Sequence, residues 1–504
     1  MDFILAGFAN AVDPQVLILI IAGIAAGIII GSLPGLTATM GVALFLPITF
    51  GMSSVNGILL LIGVYFGSIY GGSISATLLN TPGTPASAAT AMDAYPLTQQ
   101  GQAGKALGIA AIASGVGGLV SVLMLMLISP QLADVALKFS APESFALALF
   151  GLSIIASISG KSVLKGLIAG VVGLFIATVG MDPMTSYPRF TYDQLSLLNG
   201  VSFIPVMIGL FAVSEALSTM ADLMSQHQTK IKKVVTSYVL PKWQEIKRLW
   251  ITMIRSSFIG TFIGSIPGAG ADIAAFVSYN ESKRFSKEKE KASFGKGNPK
   301  GIAAAEAANN GVTGGSMIPL LTLGIPGDAV AAVLLGALVI QGLQPGPQLF
   351  TNNGELVYTL FAGMFIANLC MVIFALLGIR YFTKILRVPK TVMVPLILVL
   401  SVVGAYAINN NFFDVYVMLF AGIIGFFMKK YGFPASPLVL ALILGPMLES
   451  EMRRALVMSE GSYEIFVTRP ISATLIAFAV LSIIVPFLLK AYKSLKGVQN
   501  THDG

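Results

Sequence analysis

Long apolar stretches joined by short polar loops make up most of the chain, and two of them are interrupted near the middle by almost the same phrase. The phrases are GSLPGLTATMG at Gly31–Gly41 and GSIPGAGADIA at Gly264–Ala274. An unbroken helix of about 30 residues would be about 45 Å long, which exceeds the roughly 30 Å hydrocarbon core of a bilayer. Proline and clustered glycines favour a break in such a helix. We therefore predict two helical hairpins, over residues 16–50 and 251–280, each entering and leaving on one side of a membrane.

The positions of lysine and arginine predict the sides of the membrane, because short cytoplasmic loops accumulate these residues. No Lys or Arg precedes Lys105, and none lies between residues 301 and 379. Basic loops flank the second hairpin on both sides, so both its ends are predicted to be cytoplasmic. The flanks of the first hairpin carry no basic residue, so its ends are predicted to lie outside. The two hairpins therefore enter the membrane from opposite faces.

The remaining apolar stretches predict membrane-spanning helices that cross in alternating directions. They are 57–79, 105–128, 144–160, 166–180 and 201–220 in the first half, 301–323, 356–379, 391–408, 415–428 and 434–448 in the second half, and a last span at 471–490. This order predicts an N-terminus outside and a C-terminus in the cytoplasm. Arg453, Arg454 and Arg469 are exceptions to the charge rule, since they fall on the predicted outer side.

A second pair of similar segments follows the hairpins in the same order. GGSISATLLNTPGTPASAA, at Gly71–Ala89, is similar to GGSMIPLLTLGIPGDAVAA, at Gly314–Ala332. Each contains a Pro-Gly step, and proline is well tolerated in the first turn of a helix, so each segment predicts a helix that stops and begins again. The sequence therefore predicts an all-α polytopic membrane protein with two inverted-topology repeats, built from helical hairpins and discontinuous helices.

These repeats divide the chain into four regions. They are repeat 1 at 1–225 (hairpin 16–50, broken element 71–104, spans to 220), a basic cytoplasmic loop at 226–250, repeat 2 at 251–448 (hairpin 251–280, broken element 314–345, spans to 448), and an extra span and tail at 449–504.

Composition agrees with a membrane protein. Of the 504 residues, 55% are hydrophobic and 11% are charged, whereas soluble domains carry roughly 25% charged residues. The net charge of +8 resides in the loops and does not indicate a nucleic-acid partner. With Cys370 as the chain's single cysteine and His227 and His502 as its histidines, an internal disulfide is excluded and a zinc site is not expected. The N-terminal residues lack the basic region of a signal peptide, so insertion without cleavage is expected.

Broken helices suggest what such a bundle does. Unpaired backbone groups in hydrocarbon cost several kcal/mol each, so a break persists only where it is buried by protein or lines a cavity. A helix that begins in the membrane points free N–H groups and a positive dipole end at that cavity, which suits an anion. Carbonyl oxygens of the unwound turn suit Na⁺. Inverted repeats whose broken helices meet at mid-membrane indicate a secondary transporter.

Residues beside the breaks are the candidate site. The substrate-binding candidates are Ser32, Pro34, Gly35, Thr37, Thr39, Asn80, Thr81, Pro82, Gly83, Thr84, Ser265, Pro267, Gly268, Gly270, Pro326 and Gly327. The ion-binding candidates are Asp272, Asn309, Asn310, Thr313 and Asp328. Other interpretations stay open: Asp272 is equally an N-cap, Asp328 is equally a first-turn acid, and Glu306 faces either the cytoplasmic interface or the cavity.

Three segments together are similar to a known family. GSLPGLTATMGVALFLPITFGM, YGGSISATLLNTPGTPASAATAMDAYPL and GSIPGAGADIAAFVSYNESKRFSK resemble the large membrane subunit of the tripartite tricarboxylate transporters, and the similarity extends over nearly the whole chain. The resemblance implies import of an organic carboxylate across the bacterial inner membrane. It also implies a small membrane subunit, a periplasmic solute-binding protein that delivers the carboxylate, and an ion gradient, with Na⁺ the expected ion.

Other function classes make different demands on the sequence. A membrane transferase needs acidic metal-binding clusters near the interface, and none stands out, so we predict no enzyme activity and no cofactor. A stand-alone cation/proton antiporter needs membrane acids in a relay, for which Asp272, Glu306 and Asp328 are possible members. A channel would not depend on a binding protein.

Overall fold

The computed structural model describes residues 2–33, 36–153, 162–182, 184–224, 240–267, 270–385 and 390–495. Over these residues the chain is helical apart from loops and one two-residue ladder, in which β1 (Gly180–Met181) pairs antiparallel with β2 (Pro188–Arg189). Six of the described helices are long and apolar enough to cross a membrane. The protein is an all-α polytopic membrane protein, as the sequence predicts. Three of the substrate-binding candidates, Pro34, Gly35 and Gly268, lie outside the described ranges, as do the histidines His227 and His502.

The helices of the first half follow the predicted stretches closely. They are α1 (Asp2–Ala11), α2 (Pro14–Ser32), α3 (Ala38–Phe45, continued by a 3-10 turn at Leu46–Thr49), α4 (Ser54–Leu79), α5 (Ser87–Gln99), α6 (Ala103–Ala136), α7 (Ala141–Ser153), α8 (Val163–Ala177), α9 (Phe203–Ile208) and α10 (Ser214–Met224). A 3-10 turn at Leu195–Leu197 precedes α9, and a π-helical turn at Gly209–Val213 joins α9 to α10.

The second half repeats the pattern of hairpin, broken element and long helices. Its helices are α11 (Trp243–Ser265), α12 (Gly270–Arg284), α13 (Glu288–Lys291), α14 (Pro299–Gly315), α15 (Met317–Leu323), α16 (Ala329–Ile340), α17 (Pro347–Asn352), α18 (Gly354–Ile385), α19 (Lys390–Asn409), α20 (Phe412–Lys430), α21 (Ser436–Met458), α22 (Ile465–Thr468) and α23 (Pro470–Leu495). The predicted span 301–323 is thus two helices, which meet at Ser316.

Contacts between Cα atoms divide the chain into two compact units. The first unit, residues 1–137 and 204–426, contains both hairpins and both broken elements. The second unit, residues 138–203 and 427–504, contains α7, α8, the β ladder and α21–α23. These units are defined by packing, whereas the predicted repeats are defined by similarity and orientation. The inverted orientation therefore remains a prediction.

Both hairpins leave their first helix with the same backbone turn. After α2, Leu33 is extended, with φ −88° and ψ 115°. After α11, Ile266 is extended in the same way, with φ −87° and ψ 111°. The N–H group of each of these residues donates to the carbonyl oxygen three residues earlier. The Gly-Pro-Gly phrases therefore end a helix in the same way in the two halves, as the sequence predicts.

Glycines let the hairpin helices lie directly against their neighbours. In α2 and α4, glycines recur at every fourth position, and a Cβ added to any of them would meet the backbone of the facing helix; they are Gly23, Gly27, Gly31, Gly63, Gly67 and Gly71. In the second half, Gly260 and Gly264 of α11 and Gly311 and Gly315 of α14 meet the facing backbone in the same manner. Small residues at this spacing are how membrane helices approach closely.

Within the second unit, four charged side chains form one network. Arg189 Nη1 lies 2.7 Å from Glu449 Oε1, and Arg453 Nη2 lies 3.0 Å from Asp182 Oδ2. Hydrogen bonds, first from the backbone N–H of Thr185, lower the pKa of Asp182 to about 2. The hydrogen bond from Arg189 lowers the pKa of Glu449 below its usual value.

The three arginines that are exceptions to the charge rule all have acidic partners. Their pairs are Arg453 with Asp182 and Glu449, Arg454 with Glu451, and Arg469 with Glu143.

Candidate functional site

In both broken elements, the first helix ends at a residue in the left-handed backbone conformation. α4 ends at Leu79 and is followed by Asn80 in the left-handed conformation, with φ 55°. α15 ends at Leu323 and is followed by Gly324, also left-handed, with φ 71°. A left-handed residue is a common way to end a helix, and it suits Gly and Asn. In each half a Pro-Gly step comes next and a new helix begins.

The Pro-Gly steps lie against the last turns of the hairpin helices. A Cβ on Gly83 would collide with the carbonyl oxygen of Gly31, and a Cβ on Gly327 would collide with the carbonyl oxygen of Gly264. In each half, the Pro-Gly step of the broken element therefore packs against the end of the first hairpin helix. The break after α2 lies next to the break after α4, and the break after α11 lies next to the break after α15. Convergence of broken elements is what the transporter interpretation requires.

The two halves are joined at Asp328. Its Oδ1 accepts a hydrogen bond of 2.7 Å from the N–H of Ala331, so it caps α16. Its Oδ2 accepts a hydrogen bond of 2.7 Å from the hydroxyl of Tyr65 in α4, which is fully buried. The same Tyr65 oxygen lies 3.5 Å from Ser316 Oγ. Asp328 therefore acts as a helix cap and as a link between the halves, and sequence reasoning missed its partner.

A row of polar residues runs along one face of α14. Glu306, Asn309, Thr313 and Ser316 follow one another at spacings of three, four and three, which places them on one side of a helix. We call this row the polar stripe. Every residue of α14 from Gly301 onward is buried, and the helix packs against α4, α5, α6, α11 and α12. The polar stripe is therefore enclosed by helices of both halves.

Glu306 is the charged member of the polar stripe. Its Oε1 accepts a hydrogen bond of 2.5 Å from Thr90 in α5, and its Oε2 accepts one of 2.8 Å from Ser114 in α6. The residue is fully buried. Glu306 therefore lies in the packed interior between α5, α6 and α14 and is not exposed at an interface. Its partners are far away in the sequence, so no local pattern predicts them.

Neighbouring amides on α14 differ in how their hydrogen bonds are satisfied. Asn310 Nδ2 donates to the carbonyl oxygen of Glu306 at 3.2 Å, and Thr313 Oγ1 donates to the carbonyl oxygen of Asn310 at 2.7 Å. Asn309 is fully buried, yet neither Nδ2 nor Oδ1 has a hydrogen-bond partner among the described residues. An unpaired buried amide is costly, so Asn309 has polar atoms left for a ligand.

The other predicted residues mostly serve their own helices. Ser32 and Ser265 donate to backbone oxygens one turn earlier, at 2.8 and 2.7 Å, while Thr37 caps α3 by accepting a 3.3 Å hydrogen bond from the N–H of Met40. Asp272 is exposed in the first turn of α12, close to the left-handed Gly270.

Exposure further separates the candidates. Asn80 and Thr81 are exposed, whereas Thr39, Gly83, Thr84, Pro326 and Gly327 are buried and Pro82 and Pro267 are half-buried. The buried Thr84 hydroxyl has no hydrogen-bond partner among the described residues.

An aspartate that the sequence did not single out binds a loop of the other half. Asp93 in α5 is fully buried. Its Oδ1 accepts hydrogen bonds from the backbone N–H groups of Gly295, Gly297 and Asn298, at 2.8 to 2.9 Å. Its Oδ2 accepts one of 2.8 Å from the hydroxyl of Tyr279. Asp93 thus fixes the loop that leads into α14.

Comparison with known proteins identifies the family. The profile of the tripartite tricarboxylate transporter TctA family matches residues 17–440, a range that includes both hairpins and both broken elements. The chain belongs to this family. A relative from Agrobacterium vitis, described as an uncharacterized 52.8 kDa protein in the TAR-I ttuC' 3' region, is 40% identical over 482 residues, which cover 96% of this chain and 95% of the relative.

A second relative from Agrobacterium vitis is described as an uncharacterized protein in the TAR-II ttuC' 3' region. It is 41% identical over 229 residues, which cover 45% of this chain and 94% of that protein. Membership of the TctA family indicates a membrane transporter protein and agrees with the prediction that the chain is no enzyme.

Proposed function

We propose that this TctA-family protein is the translocating subunit of an importer for organic di- and tricarboxylates in the bacterial inner membrane. A periplasmic solute-binding protein delivers the carboxylate, a small membrane subunit completes the complex, and a Na⁺ gradient drives uptake. The observation that carries the proposal is the convergence of each Pro-Gly break on its hairpin, Gly83 on Gly31 and Gly327 on Gly264. These breaks create helix ends inside the packed unit, where the positive end of a helix dipole stabilises an anion.

The helices around the breaks carry no basic side chains that could neutralise the charge of the substrate. α4, α5, α15 and α16 contain no Lys or Arg. The N-terminus of α16 is already capped by the Asp328 carboxylate, so a carboxylate that enters between these helices is neutralised by the N-terminal dipole of α5 and by a co-transported cation. This demand supports coupling to a cation, and we propose that the cation is Na⁺.

The charge pattern supports the direction of insertion. With the N-terminus outside and the C-terminus in the cytoplasm, the first hairpin opens to the periplasm, where the binding protein docks. The basic loops on either side of α11 and α12 lie in the cytoplasm.

Reconstitution tests the proposal. The chain is incorporated in proteoliposomes with its small membrane subunit, and uptake of radiolabelled di- and tricarboxylates is measured with and without the binding protein. We expect uptake that needs both the binding protein and an inward Na⁺ gradient. Undiminished uptake with a proton gradient alone would refute the sodium part, and uptake without the binding protein would refute the tripartite part.

The buried carboxylate of Glu306 favours a second candidate, a stand-alone cation/proton antiporter. In that case, Na⁺ added to liposomes that contain only this chain would change their internal pH in the absence of any carboxylate. We expect no such change.

A further inference from the structure

Glu306 is a buried carboxylate whose charge has no basic counterpart nearby. Its hydrogen-bond partners are the hydroxyls of Thr90 and Ser114, and the ion pairs among the described residues do not include it. Removing a carboxylate from water costs several kcal/mol unless a positive charge or a proton compensates it. The position therefore calls for either a bound cation or a proton, and the unpaired amide of Asn309 one turn away favours the bound cation.

We propose that Glu306, Asn309, Thr90 and Ser114 form the binding site for the coupling ion, a single Na⁺. As the coupling site it rests on the proposed function, but the binding of Na⁺ can be tested without substrate. The site lies at the contact of α5, α6 and α14, and so it joins helices of both halves.

The ligand atoms fit a small hard cation. The carboxylate, the two hydroxyls and the amide Oδ1 of Asn309 are all oxygens, which Na⁺ shares with other hard cations as preferred ligands. One carboxylate neutralises one monovalent charge and leaves the buried site without net charge. A divalent ion would leave a net positive charge in the packed interior, which is costly to bury.

Asn309 gives the second, independent indication of a ligand. It lies one turn after Glu306 on the polar stripe, and both of its side-chain polar atoms are buried without partners among the described residues. Asn310 and Thr313, which the sequence also suggested, bond to their own helix backbone. The structure thus selects Asn309 from the predicted ion ligands.

The other two predicted ion ligands have different surroundings. Asp328 is committed to the N–H of Ala331 and the hydroxyl of Tyr65. Asp272 is exposed at the start of α12. Asp328 is only partly buried and its charge is stabilised by the N-terminal end of α16, whereas Asp272 is exposed, so the structure favours Glu306 over both.

The position of Thr90 suggests how ion and substrate are coupled. Thr90 lies in the first turn of α5, the helix that begins just after the Pro-Gly break of the first half. A Na⁺ held by Thr90 and Glu306 fixes the start of α5 against α14. The helix end proposed to stabilise the carboxylate is therefore ordered by the ion.

Direct binding tests the site. The purified full-length chain in lipid nanodiscs is titrated with ²²Na⁺ at constant ionic strength, without carboxylate or partner subunits. We expect saturable binding of about one Na⁺ per chain, weakened at least tenfold by Glu306→Gln and several-fold by Asn309→Leu. Glu288→Gln, which removes an exposed carboxylate of α13, is the matched control and should bind as the wild type does.

Three conservative variants cover the case in which Glu306→Gln does not fold. Thr90→Val and Ser114→Ala each remove one hydroxyl and should each weaken Na⁺ binding several-fold, while Glu306→Asp retains measurable binding. Wild-type affinity in Glu306→Gln, or in both hydroxyl variants, would overturn the site. Absence of Na⁺ binding to the wild-type chain would overturn it as well.

Failure of the site and failure of the proposed function give different results. Carboxylate uptake that needs no Na⁺, together with Na⁺ binding that depends on Glu306, refutes the coupling but leaves the site. Uptake that needs Na⁺ but is unchanged in Glu306→Gln refutes the site and leaves the proposed function.

Discussion

The hydroxyl of Tyr65 in α4 donates a 2.7 Å hydrogen bond to the carboxylate of Asp328, the residue that caps α16. Tyr65 follows the first hairpin and Asp328 follows the second break, so this bond ties the halves at the edge of the candidate site. A buried donor and an acidic acceptor make such a bond stronger than a neutral one.

Removing the Tyr65 hydroxyl should destabilise this link. Tyr65→Phe leaves Asp328 Oδ2 without its donor, and we expect a loss of about 1–3 kcal/mol in stability, seen as a lower thermal unfolding temperature in detergent. Tyr70→Phe is the matched control, because the buried Tyr70 hydroxyl has no hydrogen-bond partner among the described residues. Equal effects of the two substitutions would show that the Tyr65–Asp328 bond contributes nothing.

Adding a methyl group at either Pro-Gly step should disturb the protein in the same way in both halves. In Gly83→Ala and Gly327→Ala the new Cβ collides with a backbone carbonyl oxygen, and overpacking of this kind typically costs about 1–3 kcal/mol. Unfolding temperature and carboxylate uptake should both fall. Gly354→Ala is the control, because a Cβ there meets only the ring of Phe3 at ordinary contact distance. Wild-type behaviour of Gly83→Ala would contradict the packing at the first break.

Loss of the Asp93 charge should release the loop that precedes α14. Asp93→Asn weakens the charge-assisted bonds to the N–H groups of Gly295, Gly297 and Asn298 and removes an acceptor for Tyr279. We expect faster amide hydrogen exchange in residues 294–298, with little change in α18. Tyr279→Phe removes one of these bonds and should give a smaller increase. Unchanged exchange in Asp93→Asn would show that the loop is held by other contacts.

Acid should weaken the charged network of the second unit. The pKa of Asp182 is lowered from 3.8 to about 2, first by the backbone N–H of Thr185. A lowered pKa contributes stability that is present above the ordinary value and is lost as the pH falls through the folded value. We therefore expect the unfolding temperature to drop between about pH 4 and pH 2, by less in Asp182→Asn than in the wild type. Identical pH profiles would argue that Asp182 does not contribute.

The inverted orientation of the repeats can be tested by labelling. In a Cys370→Ser background, cysteines are placed at the exposed positions Ser53 and Lys287. An impermeant maleimide should label Ser53→Cys from the periplasmic side and Lys287→Cys only after the membrane is opened. Labelling of both from one side would refute the inversion.

The hairpins and breaks could be predicted because their signals are local. Proline and glycine inside an apolar stretch show where a helix stops, and the helices α4, α6 and α18 begin and end within a few residues of the predicted spans, except at the longer C-terminal ends of α6 and α18. The packing of glycines was not predicted, although their four-residue spacing in α2 and α4 is visible in the sequence.

The partners of the site residues could not be predicted from the sequence. Tyr65 and Asp328, like Thr90 and Glu306, are more than 200 positions apart. Hydropathy shows that such residues lie in apolar helices, but the rotation of each helix decides which polar groups meet. Asn309 was predicted as an ion ligand because an amide in an apolar stretch is rare, and this role stays a prediction. Its burial and its missing partners are known only from the packed structure.

The contact between Gly31 and Gly83 leaves no clearance between a hairpin and its break. Close backbone packing of this kind favours joint movement, so we infer that α2, α4 and the start of α5 move as one block. The smallest moving part in the first half is therefore a block of several helices and not a single gate, and the matching contact of Gly264 and Gly327 imposes the same limit on the second.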